Sequence, residues 1–244
     1  MIQTYFTTLG TFTGLVLALP ALLGAAVVLV SRRNKRASVV LGGFWAQIVF
    51  GGVGVIIHEL SHLLAALLFG HKIKQFALLR IPNRRDPSDQ SLGYVSHAWN
   101  PGSLYQRVGN VFIGVAPVLG CPLVMQVATR FLVPEIYYQL FGGVASGSNN
   151  GWLTALWLYL MVSIAIGGFD LSLADLENAR AGLVALVVIL LAFCAILMFF
   201  DSGSQLAENL FTLMRPVYVS FLFALAINLI LALVLRIIRR VLNR

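Results

Sequence analysis

Two histidines and one glutamate stand close together in an otherwise apolar stretch of the sequence. The string is His58-Glu59-Leu60-Ser61-His62. Residues four positions apart share one face of a helix, so both imidazoles could reach a single metal ion. Glu59 is offset by one position, and its carboxylate could approach a water molecule at that ion without being a ligand. An ionisable side chain inside an apolar span costs about 2.5 kcal/mol or more, which marks Glu59 as a candidate functional residue.

The spacing His-Glu-x-x-His is typical of zinc hydrolases. Zinc lowers the pKa of a water molecule toward about 7, and a neighbouring carboxylate can accept the released proton. The alternative is a chance match in which the histidines are only hydrogen-bonded core residues. Two of the four histidines of the chain fall in this motif. Three polar side chains on one turn in lipid would be costly without partners, so we favour a metal site.

A third protein ligand is expected, because two histidines supply only half of a tetrahedral shell. The candidates are His71, His97, Asp170, Asp175 and Glu177. We expect His71 at the membrane edge, and His97 either at the surface or in contact with a substrate.

The acidic candidates follow an apolar span, in the stretch GGFDLSLADLENA. A Gly-Gly break followed by acidic residues suits irregular backbone that lines a polar cavity. Ser172-x-x-Asp175 also has the form of a helix capping box, which would be a purely structural role for Asp175.

The composition decides the class of protein that carries these residues. Of 244 residues, 59% are hydrophobic and 11% are charged, against about 25% charged in a soluble domain. These values exclude an ordinary soluble globule and a disordered chain. The net charge of +8 comes largely from basic clusters at the ends of apolar runs, which is typical of contact with a lipid bilayer rather than with nucleic acid.

The sequence predicts an all-α polytopic membrane protein that forms a single domain, 1–244. Six transmembrane helices are expected, at about 9–30, 38–70, 108–133, 152–168, 182–200 and 211–235. The core of the domain is about 38–180, and the helices at 9–30, 182–200 and 211–235 flank it. The second span is too long for a straight crossing of the bilayer, so it must tilt, protrude or bend, and Gly51, Gly52 and Gly54 are the expected place of a bend.

Between the second and third spans, alternating segments flank the turn-like PNRRDPSDQS. They predict a short β-hairpin within 72–99. The distribution of lysine and arginine favours cytoplasmic termini, with eleven of the seventeen basic residues in inside segments. That orientation places the basic segment 31–36 outside, which contradicts the tendency of lysine and arginine to lie on the cytoplasmic side.

These motifs together resemble the site-2 protease family of intramembrane zinc metalloproteases. The resemblance covers roughly residues 45–180. It rests on HELSH in one helix, a β-prone loop, the proline-containing GNVFIGVAPVLG, and the acidic motif SIAIGGFDLSLADLENA on a further helix. The layout of six spans, with motifs in the second and fourth, is also similar to a six-helix branch of that family.

The resemblance implies that His58 and His62 bind zinc, that Glu59 is the general base, and that an aspartate of the later motif is the third ligand. The usual Leu-Asp-Gly of the family is absent. The segment looks instead like the Ser-x-x-Asp variant of some bacterial members, which favours Asp175 over its rival Asp170.

The function that the resemblance implies is an intramembrane zinc metalloendopeptidase with one Zn²⁺ per chain. Its substrates would be membrane proteins or transmembrane peptides, and it would act in regulated intramembrane proteolysis. The short loops of the sequence indicate no built-in regulatory domain, so we expect control by a separate regulatory membrane protein. The expected location is a bacterial plasma membrane. The alternatives are a membrane metal-binding or transport protein, and a catalytically inactive scaffold of the same fold.

Two further features could contact a substrate. The hairpin could present a strand edge to an unwound segment by β-augmentation. Asn110, near the start of the third span, could hydrogen-bond the substrate backbone or merely a neighbouring helix.

Overall fold

The computed structural model describes residues 2–81, 91–143, 150–197 and 204–242. Its elements in chain order are α1 (Ile2–Phe12), a π-helical segment (Thr13–Ala18), α2 (Leu19–Leu68), β1 (Lys72–Ala77), β2 (Tyr94–Ala98), α3 (Leu104–Leu132), α4 (Pro134–Phe141), α5 (Gly151–Gly167), α6 (Leu173–Leu197) and α7 (Ser204–Val241).

The predicted helical class and the predicted β-hairpin are both confirmed. β1 and β2 pair antiparallel, from Lys72 opposite Ala98 to Ala77 opposite Tyr94. The register is irregular between Ile73 and Gln75. The segment expected to form the turn, PNRRDPSDQS, lies outside the described residues except at its last position.

Four helical stretches of the described chain are long and apolar enough to cross a membrane. They are Ile2–Leu68, Leu104–Leu132, Leu173–Leu197 and Gln205–Val241. The expectation of six separate spans is not confirmed by this count. The first two predicted spans lie in one helical stretch, and α5 has only 17 residues. The four stretches are those expected of a membrane protein.

The long stretch reverses its direction at Gly43, where φ is 67° and ψ is −163°. The Ser31 hydroxyl donates a hydrogen bond to the Ala165 carbonyl at 2.7 Å. A Cβ built on Gly51 would lie 3.0 Å from the Ile166 side chain. Twenty residues of straight helix would separate Ser31 and Gly51 by about 30 Å. Both can contact the same end of α5 because α2 folds back on itself, and glycine accepts the positive φ that this requires.

The expected bend at Gly51, Gly52 and Gly54 is therefore wrong. These glycines are helical and lie in the second arm of α2, which we define as residues 44–68. Gly54 fits tightly against the backbone of Ser163 in α5. Gly51 and Gly54 let the second arm of α2 approach α5 closely, which explains these two glycines without a bend.

The expected placement of 31–36 outside, opposite the C-terminal basic cluster, is also wrong. The two basic clusters line one cavity, through Arg33, Arg36, Arg236, Arg239 and Arg240. They therefore lie at the same end of the helix bundle. The physical reason is that the chain reverses at Gly43 rather than within 31–36, which is helical throughout.

The core lies between α2, α3, α5 and α7. Its buried members include Val27, Cys121, Met125, Trp157, Met161, Ile164, Phe169, Phe221 and Ala224. α6 packs along α3. This packing holds the second arm of α2, the first half of α3 and the start of α6 against one another, and the candidate site lies where they meet.

Candidate metal centre

The two histidines of the second arm of α2 face each other one helical turn apart. His58 and His62 are both buried. Their Nε2 atoms lie 3.1 Å from each other. The i, i+4 spacing thus places both imidazoles on one face, as the sequence predicts.

Backbone carbonyls fix the orientation of both rings. His58 Nδ1 lies 2.9 Å from the Gly168 carbonyl oxygen, and His62 Nδ1 lies 2.7 Å from the Ile113 carbonyl oxygen. A carbonyl can only accept, so each Nδ1 carries the hydrogen and donates it. In the neutral rings both Nε2 lone pairs then point toward the same small space. A cation there would relieve their mutual repulsion, and a hydrogen bond at the far ring nitrogen is the usual support of a metal-binding histidine.

Asp175 completes the group from the first turn of α6. Its Oδ1 lies 3.2 Å from His62 Nε2. Its Oδ2 accepts hydrogen bonds from the backbone N–H and the hydroxyl of Ser172, at 2.6 and 2.7 Å. The Asp175 N–H donates to the Ser172 oxygen at 3.2 Å. The capping box is therefore present, and it uses one carboxylate oxygen while the other faces the histidines.

The three side chains could hold one metal ion. One ligand atom from each of His58, His62 and Asp175 lies within 4.8 Å of the other two. Two imidazole nitrogens and one carboxylate oxygen are the donor set of many catalytic zinc sites, in which a fourth position stays open for water. The residues present therefore fit Zn²⁺ by number and by chemistry.

The rival aspartate has other partners. Asp170 Oδ1 lies 3.0 Å from Arg32 Nε, and its Oδ2 lies 2.7 Å from Lys35 Nζ. Burial acts to raise the pKa of Asp170, but the two cations outweigh it and hold the pKa below its ordinary value. Both carboxylate oxygens of Asp170 therefore contact cations on the first arm of α2, which we define as residues 19–42.

Glu177 is exposed on α6, and the described metal-ligating cluster does not include it.

The two remaining histidines contact each other. His71 Nδ1 lies 3.0 Å from His97 Nδ1, and His71 Nε2 lies 2.9 Å from the Gln106 carbonyl oxygen. His71 follows the end of α2 and is buried, and its expected place at the membrane edge stays a prediction. Burial, with His71 and His62 nearby, lowers the pKa of His97 below its ordinary value.

Glu59 is buried beside the histidines and lines the same cavity, whose volume is about 530 Å³. Its side chain passes directly over Gly93, the residue before β2. A Cβ built on Gly93 would lie 2.5 Å from Glu59 Cγ and 2.9 Å from Glu59 Oε1. Any larger residue at this position would force the Glu59 side chain to shift, so Gly93 helps to set where this carboxylate lies, and the sequence analysis does not single it out. A glycine next to a predicted strand was the available signal.

One strand of the hairpin forms a wall of this cavity. Tyr94, Val95 and His97 of β2 line it, together with residues 91–93 that precede the strand. No residue of β1 does so. The pairing also continues beyond the strands, because the Arg80 N–H donates to the Leu92 carbonyl at 2.7 Å. The hairpin therefore turns its β2 side to the candidate metal centre.

Asn110 lies fully buried in α3, and both polar atoms of its amide have no hydrogen-bond partner within the described residues. The expected bond to a neighbouring helix is thus not formed. A role toward substrate stays a prediction.

Comparison with known proteins adds no relative. The chain matches no protein-family model, no curated protein sequence and no solved structure.

Proposed function

We propose that the chain is a zinc-dependent endopeptidase that hydrolyses peptide bonds of membrane-embedded proteins. The observation that supports this best is the convergence of His58, His62 and Asp175 beside Glu59 in one buried cavity. The proposal assigns one Zn²⁺ per chain to the first three residues.

A bound zinc ion would supply a Lewis acid that polarises the scissile carbonyl and makes a water molecule more acidic. Glu59 has the task of accepting the proton from the attacking water and returning it to the leaving amine. Gly93 supports this task because it leaves the carboxylate room next to β2. Ser172 holds Asp175 in place through the capping box.

The proposed substrate is a transmembrane segment that is locally extended at the cleavage point. Peptide bonds inside a helix are hydrogen-bonded to their own helix, so the segment must unwind before attack. β2 faces the cavity and offers a strand edge to which an extended segment could add by β-augmentation. We propose that this edge aligns the substrate with Glu59.

Two other functions fit a membrane chain with a metal-binding cluster. A metal transporter needs ligands distributed along a path, whereas the described residues form one cluster next to a carboxylate suited to base chemistry. An inactive scaffold would not require Glu59. A location in a bacterial plasma membrane belongs to the proposal through the family resemblance, and control by a separate membrane protein belongs to it through the short loops of the sequence.

The test is cleavage of a membrane-tethered substrate by reconstituted wild type and by Glu59→Gln, with zinc measured in the same samples. We expect about one zinc per chain in both proteins. Cleavage should fall by about 100-fold or more in Glu59→Gln, because general-base catalysis contributes about 10²–10⁴-fold. Glu177→Gln, an exposed change on α6, should cleave like wild type. Zinc without cleavage in the wild type would instead support the transporter or the scaffold.

A further inference from the structure

A second cavity, of about 630 Å³, lies between the first arm of α2 and the C-terminal part of α7. Five arginines line it, two from α2 and three from α7: Arg33, Arg36, Arg236, Arg239 and Arg240. Within the part of the chain that the structure describes, no aspartate or glutamate lines it. Spacings of three and four residues place the arginines of each helix on one face, toward the same space.

The positive charges of these guanidinium groups are not paired with carboxylates of described residues, whereas those of neighbouring basic residues are. Arg32 and Lys35, on the adjoining face of α2, form ion pairs with Asp170. None of the five cavity arginines forms an ion pair with another described residue. Arginine stays charged at all relevant pH values, so the group repels itself unless an anion enters. The same basic segment therefore has one neutralised face and one face that attracts an anion.

The two helices that bear the arginines are fixed relative to each other at this level. The Asn34 amide donates to the carbonyl oxygen and the side-chain oxygen of Asn228, at 2.9 and 3.1 Å. Both asparagines are buried. Interhelical amide bonds of this kind stabilise contacts between helices in membranes. The distance between the two rows of arginines is therefore set before any ligand binds.

Apart from Asn34, the remaining lining is apolar, and this apolar surface selects the kind of anion. Val30, Val40, Leu229 and Leu235 contribute to the same cavity. Val40 and Leu229 are each about half exposed, at 53% and 52%. A soluble anion would gain nothing from this surface, whereas the acyl chains of a lipid would cover it. Arginine also binds phosphate oxygens in a bidentate manner.

We propose that this cavity binds an anionic glycerophospholipid, with its phosphate between the arginines of α2 and α7 and its acyl chains along the apolar lining. Basic pockets between transmembrane helices bind such headgroups. The site is separate from the candidate metal centre and goes beyond the proposed function. A bound lipid would join the first arm of α2 to α7 at the end of the bundle where both basic clusters lie.

The test is native mass spectrometry of the detergent-solubilised full chain with phosphatidylglycerol or phosphatidylcholine of identical acyl chains. We expect wild type to bind phosphatidylglycerol selectively. Arg239→Gln/Arg240→Gln should bind it about 25-fold more weakly, at about fivefold for each arginine. The matched control is Arg180→Gln/Arg215→Gln, which removes two exposed arginines from α6 and α7 that do not line the cavity, and it should bind like wild type.

Soluble glycerol phosphate, which carries the phosphate without acyl chains, separates a lipid site from a general anion site. It should not displace phosphatidylglycerol at equal concentration. Equal binding of the two lipids by wild type, an equal loss in the control variant, or displacement by glycerol phosphate would each overturn the proposal. If Arg239→Gln/Arg240→Gln does not fold, Arg33→Gln/Arg36→Gln tests the opposite wall, and the comparison of lipids on wild type stands without any variant.

Discussion

At the level of single residues, the candidate site depends on side chains that each use two polar atoms, one for a supporting hydrogen bond and one that faces the centre. Each histidine uses Nδ1 for a backbone carbonyl and presents Nε2 to the centre, and Asp175 uses one oxygen for its cap and the other for the centre. The two readings of Asp175 that the sequence left open, cap and ligand, are thus compatible in one geometry.

The two aspartates should differ in their effect on bound metal. We expect Asp175→Asn to lower zinc content at least tenfold, because it replaces a charged ligand by a neutral amide. Asp170→Asn should keep about one zinc per chain, since its carboxylate contacts Arg32 and Lys35 instead. Elemental analysis of the two purified variants checks this. Loss of zinc in Asp170→Asn alone would assign the third ligand to the other residue.

Gly93→Ala should impair catalysis without removing zinc. The added methyl group would push against the Glu59 side chain, and a displacement of about 1 Å can reduce turnover about 100-fold. Turnover and zinc content of the variant are the measurements. Gly151→Ala is the matched control, because a Cβ there meets nothing within 4 Å. Equal turnover in the two variants would remove the positioning role from Gly93.

At the scale of elements, the hairpin and the helix termini bring the chemistry together. β2 and residues 91–93 form one wall of the cavity, and the start of α6 supplies Asp175. The hairpin was predictable because alternation of side chains and a turn-rich segment act locally. Which strand of the hairpin faces the cavity could not be predicted, because that depends on how the strands pack against α2 and α3.

Val95 and Phe76 provide a matched test of the strand edge. They are direct partners across the antiparallel pair, so a proline at either position has the same effect on the ladder. Only Val95 lines the cavity. We expect Val95→Pro to lower cleavage about tenfold more than Phe76→Pro does, since β-augmentation uses the β2 edge.

Zinc should remain bound in both proline variants, because none of the three proposed ligands, His58, His62 and Asp175, lies on the hairpin. Equal loss of cleavage would show that the hairpin matters only for folding.

The sequence predicted the helical turn that carries His58, Glu59 and His62, whereas it did not predict the path of the chain. His58, Glu59 and His62 could be identified from the sequence because helical spacing is a local property and three polar side chains are conspicuous in an apolar span. The carbonyls of Gly168 and Ile113 that orient the rings belong to the backbone and have no signature in the sequence. The reversal at Gly43 was missed because the basic segment 31–36 looked like the turn, whereas it is helical and meets α7 and Asp170.

At the scale of the whole molecule, the reversed α2 connects the basic end of the bundle to the candidate centre. Its first arm carries Arg32 and Lys35, which form ion pairs with Asp170 between α5 and α6. Its second arm carries the histidines. Asp170 lies five residues before Asp175, so these ion pairs also secure the segment that leads into the candidate metal centre.

The contribution of Asp170 to stability should depend on pH. Its pKa is lower in the folded chain than the ordinary 3.8. The stabilisation is therefore complete above pH 3.8 and is lost as the pH falls through the folded-state pKa. At pH 7, Asp170→Asn should lower the melting temperature by about 2–4 °C, as expected for a pair worth about 1 kcal/mol. The difference from wild type should shrink in acid, and thermal unfolding at pH 7 and pH 3 measures it. A difference that grows in acid would contradict this role.

The most direct test of the central claim is hydrolysis in oxygen-18-labelled water. Reconstituted, zinc-loaded wild type and Glu59→Gln would each be incubated with a transmembrane peptide, and the products weighed by mass spectrometry. We expect wild type to yield two fragments, with one labelled oxygen in the new carboxylate, and Glu59→Gln to yield neither above background. An intact peptide after incubation with zinc-loaded wild type, or equal cleavage by Glu59→Gln, would contradict the central claim.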